Sequence, residues 1–307
     1  MNPVDFSAKQ GCLVRRPDGR LVPMDMPCYD AKEIAPGTWQ IMSSGDYHYL
    51  LLGDDIGVSI DTGYGAGNLR DYLTGLCGRD VPWVINTHSH FDHTANNCYF
   101  DMAYMDREAF DLASIPYPSF AGVAFPRDYP KAAVGDGDTV PLPGRELEII
   151  QIGDHTADGI AILDRKEHLL FTGDEVMLMG KTLNGSVEKW KADLEKLLVH
   201  RDEFDRIYGG MGEVPAEYLD IFHEAACRIM DGRPSEPPQE VEAPPPLPEE
   251  RGPEGQTVYD CKIPHPEDRP KGGFFKSNPN MADYQWRGLR FSYDKTLLRA
   301  ETAAWTN

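Results

Sequence analysis

The sequence predicts an α/β sandwich fold, and three observations support this prediction. Short apolar runs bounded by turn residues recur between residues 37 and 60 and between residues 147 and 208, as in buried strands. Apolar side chains at helical spacing begin near Leu69 and again near Trp190. A group of histidines directly follows the apolar run 83–85. Strands and amphipathic helices in such succession are typical of proteins in which helices cover a sheet.

The predicted organisation begins with an irregular N-terminal lead-in, residues 1–33, where glycine, proline and charged residues interrupt every apolar run. The α/β domain is predicted to span residues 34–232. Its first strands are predicted at 37–41, 47–52, 56–60 and 83–85. A later helix is predicted to begin after Ser186, a residue type favoured at helix N-caps.

The loop after the strand 83–85 has the sequence THSHFDH and contains three imidazoles and one carboxylate, those of His88, His90, His93 and Asp92. These are the ligands that borderline divalent metals such as zinc prefer. A tight loop at the end of a strand can direct all four side chains at one or two ions. The alternative interpretation is a solvated, histidine-rich turn without a metal.

Two further ligand types follow strands downstream. His155 comes just after the alternating run 147–152, and Asp174 comes just after the predicted hairpin formed by 160–163 and 169–171. Side chains placed directly after strands are held by a rigid scaffold, as a precise site requires.

The pattern His88-x-His90-x-Asp92-His93, followed in order by Gly153-Asp154-His155-Thr156 and Thr172-Gly173-Asp174, resembles the signature of the metallo-β-lactamase superfamily. The resemblance implies a metallo-β-lactamase-like αββα sandwich with a C-terminal extension. It also implies two metal sites. His88, His90 and His155 would hold the first ion, and Asp92, His93 and Asp174 the second. The implied metal is zinc, as one or two ions, with iron or manganese as alternatives.

The resemblance also assigns a role to Asp61, in the segment Asp61-Thr62-Gly63. Its carboxylate would lie behind the first metal-binding histidine and orient that ring. The alternative is an ordinary turn residue.

The family pattern breaks after the last strand, where a histidine ligand is expected between glycines. This chain has Met211 within Gly209-Gly210-Met211-Gly212, and a thioether is a poor zinc ligand. Three outcomes are compatible with this change. The second metal is weakly bound or absent; another residue, His265, His223 or His48, replaces the ligand; or the site only binds and does not catalyse.

The segment between residues 113 and 130 is rich in proline and aromatic residues, and it cannot form a regular helix. Because it lies between two ligand loops, we expect Tyr117, Phe120 and Phe125 to line an apolar substrate pocket over the metals, together with Met211. The alternative is that the aromatic side chains fill a gap in the core.

The composition changes sharply after residue 232. Residues 233–256 are dense in proline and glutamate and predict an extended linker. Residues 257–307 regain aromatic side chains and predict a C-terminal extension that packs on the core or on a partner subunit, with a homodimer as one possibility.

The overall charge and the cysteines narrow the function classes. A formal net charge of −20 disfavours nucleic acid as a partner. The six cysteines lack paired spacing, and no signal peptide or membrane-spanning run is expected. These features predict a cytoplasmic protein with a small-molecule substrate and no membrane partner.

The expected function is metal-dependent hydrolysis of a small ester, thioester or lactone, or an amide, whose substrate has an apolar or aromatic portion. A metal lowers the pKa of its bound water, and Asp92 would be the catalytic residue that orients the nucleophile or moves a proton. Two alternatives remain: a binding or regulatory module on a degenerate metallohydrolase scaffold, which Met211 suggests, and a phosphodiesterase.

Overall fold

The protein is described by a computed structural model that covers residues 4–9, 11–16, 18–24, 26–27, 29–43, 46–178, 180–238, 251–260 and 278–299. Four α-helices are present in these ranges: α1 (Leu69–Cys77), α2 (Phe91–Thr94), α3 (Val187–Val199) and α4 (Glu217–Met230). The first nine strands are β1 (Leu13–Arg15), β2 (Leu21–Pro23), β3 (Tyr29–Ala35), β4 (Thr38–Ser43), β5 (Asp46–Leu52), β6 (Gly57–Ile60), β7 (Trp83–Ile85), β8 (Met102–Met105) and β9 (Lys131–Ala133). The remaining strands are β10 (Thr139–Leu142), β11 (Arg145–Gln151), β12 (Ile160–Asp164), β13 (Leu169–Gly173), β14 (Gly180–Thr182), β15 (Arg206–Gly209), β16 (Gly212–Pro215), β17 (Val258–Asp260), β18 (Met281–Trp286) and β19 (Leu289–Asp294).

Two large sheets form the centre of the fold. The first contains seven strands in the order β3-β4-β5-β6-β7-β8-β9, and the second contains six in the order β10-β11-β12-β13-β15-β16. Their inner faces share one apolar cluster, to which the first sheet contributes Tyr49 and Ile60 and the second contributes Ile149, Ile162 and Phe171. The two sheets therefore pack face to face as the middle layers of a sandwich.

The outer face of each sheet is covered by helices. Leu69 and Leu73 of α1 and Phe91 of α2 belong to the cluster on the first sheet. Trp190 of α3 and Phe222 of α4 belong to the cluster on the second sheet. The layers are thus α, β, β and α, and the predicted αββα sandwich is confirmed. None of the helices in the part of the chain that the structure describes is long and apolar enough to cross a membrane.

Local sequence explains how the helices begin and end. Asn68 caps α1 by accepting a hydrogen bond from the Asp71 amide, and Gly78 ends that helix with φ of 69°, in the left-handed region that glycine favours. Ser186 accepts from the Lys189 amide, so it is the N-cap of α3 as its sequence predicted.

The chain outside the central sandwich also contains regular strands. The predicted lead-in 1–33 is not irregular throughout, because it includes β1 and β2, and because β3 begins the first large sheet at Tyr29. β1 pairs in parallel with β17 from the C-terminal region. Short strands with few apolar residues carry little periodic signal, which explains the difference.

The C-terminal hairpin β18-β19 adds to β14, with Lys181 opposite Phe291. Tyr284, Leu289 and Phe291 belong to the apolar cluster beneath α3 and α4. The predicted linker 233–256 lies partly outside the described residues, which omit 239–250. A homodimer through the extension and a cytoplasmic location stay predictions.

Candidate metal centre

The potential ligands are carried by loops that follow strands of both sheets. His88 and His90 lie just after β7, and His93 lies within α2, which begins directly after His90. His155 follows β11, and Asp174 follows β13. Both sheets therefore contribute ligands to one edge of the sandwich.

Three imidazoles converge there. Ligand atoms of His88, His90 and His155 all lie within 4.8 Å of one another. The Nδ1 atom of His90 is 3.0 Å from Nε2 of His155. Two nitrogens bound to one tetrahedral zinc ion, at Zn–N distances of about 2.0–2.1 Å, are separated by about 3.3 Å. The observed spacing therefore fits a shared cation.

The His88 ring is oriented by its neighbour. Its Nδ1 lies 3.1 Å from the Thr87 hydroxyl, which in turn donates to Asp61 Oδ2 at 2.7 Å. Because the Thr87 hydroxyl donates its proton to Asp61, it must accept from His88. These two hydrogen bonds place the ring proton on Nδ1 of His88 and leave Nε2 with its lone pair. Nε2 is buried and has no hydrogen-bond partner within the described ranges. Burial lowers the pKa of His88 well below its usual value, and the neighbouring imidazoles add to this effect.

A second, carboxylate-rich group adjoins the first. His93 Nε2 and His155 Nε2 each lie 3.6 Å from an oxygen of Asp174, so this carboxylate stands between the two groups. His93 forms one possible metal-binding group with His88 and Asp174, and another with Asp46 and Asp92. All six ligands predicted from the sequence thus lie in one continuous cluster.

Asp61 lies behind a different histidine from the one expected. Its Oδ2 is 2.9 Å from Nδ1 of His93, and it contacts His88 only indirectly, through Thr87. Its Oδ1 also accepts from the Thr87 amide at 2.8 Å. The residue adopts φ of 58°, which a short polar side chain tolerates better than most. Asp61 therefore fixes both His93 and the start of the ligand loop.

The charges of the imidazoles differ across the cluster. Burial opposes protonation of His93, but the carboxylates of Asp61, Asp174 and Asp92 outweigh it and raise the pKa of His93 well above its usual value. Burial lowers the pKa of His155 to about 4. His155 is therefore neutral at neutral pH, whereas His93 favours the protonated form.

A buried ion cluster supports the loop that carries His155. Lys181 Nζ lies 3.1 Å from Asp154 Oδ2 and also pairs with Glu175. Glu175 Oε1 accepts from the backbone amides of Asp154 and His155, at 2.9 and 2.8 Å. Lys181 lies on β14, the strand that the C-terminal hairpin extends. The C-terminal extension therefore contacts the strand whose Lys181 holds the loop of His155 in place.

Two of these contributions were not predicted from the sequence. Asp46 gave no motif signal beyond its position next to a predicted strand. Lys181 and Glu175 are ordinary charged residues in the sequence, and nothing there distinguishes a buried pair from a solvated one.

The four predicted pocket residues occupy different environments. The Tyr117 hydroxyl donates to Asp92 Oδ1 at 2.7 Å, so it reaches the cluster directly. Phe120 and Phe125 are only 3% and 8% exposed and pack edge-on or tilted against Phe91 in the core. Met211 is 50% exposed at the tip of the β15-β16 hairpin. That a substrate contacts these side chains stays a prediction.

The replacement ligands proposed for Met211 are not found in the cluster. His48 is buried on β5, edge-on to Tyr29, and His223 lies on α4 against Glu195. Neither belongs to a metal-sized group in the described part of the chain. His265 lies outside the described residues.

The donor atoms fit a divalent metal. Nε2 of His88, Nε2 of His93 and Oδ1 of Asp174 are all buried and lack hydrogen-bond partners among the described residues. Buried polar atoms are almost always satisfied, so buried ligand atoms that face one another without hydrogen bonds fit a site for a divalent cation.

Comparison with known proteins identifies the family. The family model described as the metallo-beta-lactamase superfamily matches residues 48–210, which include every predicted ligand. This chain belongs to the metallo-β-lactamase superfamily. The family predicted from the histidine motif is confirmed, and membership implies that the cluster binds a divalent metal.

Several curated proteins resemble this chain in sequence. The acyl-coenzyme A thioesterase MBLAC2 of Homo sapiens is 26% identical over 173 residues, covering 46% of this chain and 60% of that protein. Thioesterase pkgB of Emericella nidulans is 29% identical over 162 residues, covering 52% of this chain and 43% of that protein. The chain thus spans at most about three-fifths of the length of these two relatives. Their names support the prediction of a hydrolase.

Solved structures agree with the fold. The mono-zinc form of the metallo-beta-lactamase FIM-1 from Pseudomonas aeruginosa matches with a TM-score of 0.53 at 15% identity, covering 67% of this chain and 98% of that chain. A variant of the sec-alkyl sulfatase PisA1 matches with a TM-score of 0.54 at 14% identity, covering 66% of this chain and 42% of that chain. At such identities the likeness concerns the fold alone.

Proposed function

We propose that this superfamily member is a zinc-dependent thioesterase that hydrolyses small acyl thioesters of the acyl-coenzyme A type. The observation that carries the proposal is the convergence of His88, His90 and His155 beside Asp92 and Asp174. Three imidazoles with an open fourth position are the usual protein ligands of catalytic zinc. Thioesterases among both animal and fungal relatives support the choice of bond.

A divalent cation held by these ligands would polarise the thioester carbonyl and lower the pKa of a coordinated water. In the reaction, water adds to the carbonyl carbon and the carbon–sulfur bond breaks, giving a carboxylic acid and a free thiol. Asp92 accepts a proton from the attacking water and returns it to the departing sulfur. Tyr117 donates to Oδ1 of Asp92 at 2.7 Å and so orients this carboxylate.

The support around the ligands suits such a reaction. Asp61 and Thr87 fix the rings of His93 and His88, and Glu175 fixes the backbone of His155. Ligands that are oriented before substrate arrives need no rearrangement in the transition state.

The surroundings of the site support a substrate with an apolar portion. Few large apolar side chains are exposed among the described residues. Three of them lie on segments near the site: Ile115, Leu178 and Met211. Each lies on a segment that also contributes to the cluster, through Tyr117, Asp174 and the backbone of Gly210 respectively. An acyl chain would cover such apolar surface favourably.

The test is a thiol-release assay with an acyl-coenzyme A series of increasing chain length, using protein loaded with zinc. We expect turnover that improves with acyl length. His90→Ala removes one of three imidazole ligands, so it should lower both zinc content and kcat/KM, the latter by about 10³-fold or more. His200→Ala is the matched control, because His200 pairs with Glu203 at the end of α3.

The same assay includes a lactone, an oxygen ester and bis-p-nitrophenyl phosphate. Absence of thiol release from zinc-loaded protein across the series would refute the thioesterase. Faster turnover of the phosphodiester, lost in Asp92→Ala, would instead assign the site to phosphodiester hydrolysis.

A further inference from the structure

The second half of the cluster lacks the histidine that its family pattern expects. Met211 occupies that position, and its side chain is half exposed at the tip of the hairpin. The backbone of the preceding residue closes directly on the site. A side-chain carbon added at Gly210 would lie 2.3 Å from Asp174 Oδ1 and 3.0 Å from Cε1 of His93. The backbone of the β15-β16 hairpin therefore still lies against the site, but the imidazole ligand expected at position 211 is lost.

Asp46 enters the site beside this hairpin. It is the first residue of β5, and the amide of the next residue, Tyr47, donates to the carbonyl of Gly210 at 2.9 Å. A carboxylate oxygen of Asp46 lies within 4.8 Å of ligand atoms of both Asp92 and His93. β5 thus places a carboxylate oxygen beside the hairpin backbone at Gly210, next to the position where the family pattern expects a histidine.

Independent evidence for a cation comes from atoms that Asp46 does not supply. His93 uses Nδ1 to contact Asp61, and its Nε2 is buried without a hydrogen-bond partner among the described residues. Oδ1 of Asp174 faces this Nε2 at 3.6 Å, too far for a hydrogen bond, and is likewise buried without a hydrogen-bond partner within those ranges. These atoms belong to the second site, so the evidence for an ion there does not depend on the carboxylates alone.

We propose that Asp46 is the fourth ligand of the second metal site and replaces the imidazole lost at position 211. The resulting donor set is three carboxylates, those of Asp46, Asp92 and Asp174, with the imidazole of His93. The first site has three imidazoles and shares Asp174. Carboxylates suit harder cations such as manganese, whereas imidazoles suit zinc. The two sites therefore differ in metal preference, and the second favours a harder divalent ion.

His48 is the closest competitor, because it lies two residues further along the same strand. It belongs to no metal-sized group among the described residues: its Nδ1 lies 3.3 Å from the position of a carbon added at Gly63, and the ring meets Tyr29 edge-on. Asp46, and not His48, therefore fills the gap.

The test measures metal binding without substrate, so its result is independent of the thioesterase proposal. Metal-free protein is dialysed against Mn²⁺ or Zn²⁺, and bound metal is counted by elemental analysis. Wild-type protein should bind roughly two ions per chain, and Asp46→Ala roughly one. Loss of this ligand should weaken the second equivalent by more than the about 10–100-fold that loss of an outer hydrogen-bond partner typically costs.

Asp55→Ala is the matched control, since it removes the same charge from the exposed turn between β5 and β6. It should bind both ions as wild type does. The double variant Asp46→Ala/Met211→His should regain the second ion and shift its preference from manganese towards zinc. Retention of the first ion by Asp46→Ala shows that this variant is folded, because the three imidazoles of that site come from both sheets.

Two results would overturn the proposal. One is an Asp46→Ala protein that binds its second ion as tightly as Asp55→Ala does. The other comes from Met211→His alone, which leaves Asp46 untouched. If wild type binds one ion and Met211→His binds two, the fourth position was vacant and Asp46 did not fill it.

Discussion

The two halves of the metal cluster are built in different ways. His88, His90 and His155 supply imidazole donors from two loops, and each loop follows a strand. Asp46 and Asp92 supply carboxylate donors, and Asp46 comes from the start of a strand that reaches the site beside the β15-β16 hairpin. The first half follows from local sequence, whereas the second depends on how distant segments pack.

The halves also differ in what holds them in place. Behind His155 stands the buried ion cluster of Lys181, Asp154 and Glu175, which reaches the C-terminal hairpin through β14. Behind Nδ1 of His93 stands the carboxylate of Asp61. A variant that removes one support should therefore affect one half of the cluster more than the other, and this difference can be measured.

The largest effect is expected from Lys181→Met. The substitution removes the only cation that faces the carboxylates of Asp154 and Glu175 in the buried pairs that the structure describes. Breaking a buried ion pair by removing one partner costs about 3–5 kcal/mol, because the remaining charge stays buried. Urea unfolding of the metal-free protein should show a loss of this size, and zinc affinity at the three-imidazole site should fall with it.

The matched control is Lys191→Met on α3, where Lys191 pairs with Glu195 one helical turn away at the surface. Such exposed pairs contribute about 0.3–0.5 kcal/mol, so this variant should unfold almost as wild type does. Equal losses in the two variants would show that the buried cluster is not a special support for His155.

The sequence predicted the half of the cluster that is encoded locally. His88, His90, Asp92 and His93 fall within one loop, so their proximity follows from spacing alone. His155 and Asp174 were predicted because each follows a recognisable strand and matches the family pattern. The αββα layers followed from the same resemblance, and the family match confirms them.

The remainder could not be predicted because it depends on tertiary packing. Asp46 is placed at the site by sheet pairing and by the hydrogen bond between Tyr47 and Gly210, which joins segments far apart in the chain. Phe120 and Phe125 have the composition of a pocket wall, yet they pack against Phe91. Aromatic spacing does not reveal which face of an irregular segment turns inward.

A smaller effect, confined to the second half, is expected from Asp61→Asn. Asparagine tolerates the left-handed backbone at this position, so the turn should persist. An amide group facing His93 Nδ1 would donate to it and move the ring proton to Nε2, the atom that should bind metal. Loss of such an outer partner typically costs about 10–100-fold in metal affinity.

Equilibrium dialysis with Mn²⁺ and Zn²⁺ should show that the affinity for the second metal ion falls by about 10–100-fold, while the affinity for the first ion changes less. If the affinities for both ions fall equally, Asp61 acts on the whole ligand loop through Thr87. Asp61 would then support both halves of the cluster and not the second half alone.

The smallest effect is a difference in pH dependence between the two sites. The carboxylates around His93 outweigh its burial and hold its pKa well above the usual value, so a metal that binds there must displace a proton. Below that pKa, each unit fall in pH should weaken metal binding at the second site about tenfold.

Burial lowers the pKa of His88 well below its usual value and that of His155 to about 4, so these ligands are already deprotonated near neutrality. Metal titrations at about pH 7.5 and about pH 6.5 should therefore show the steeper change at the second site. Parallel slopes would mean that the second site releases no more protons than the first on binding metal, and the electrostatic contrast between the halves would be wrong.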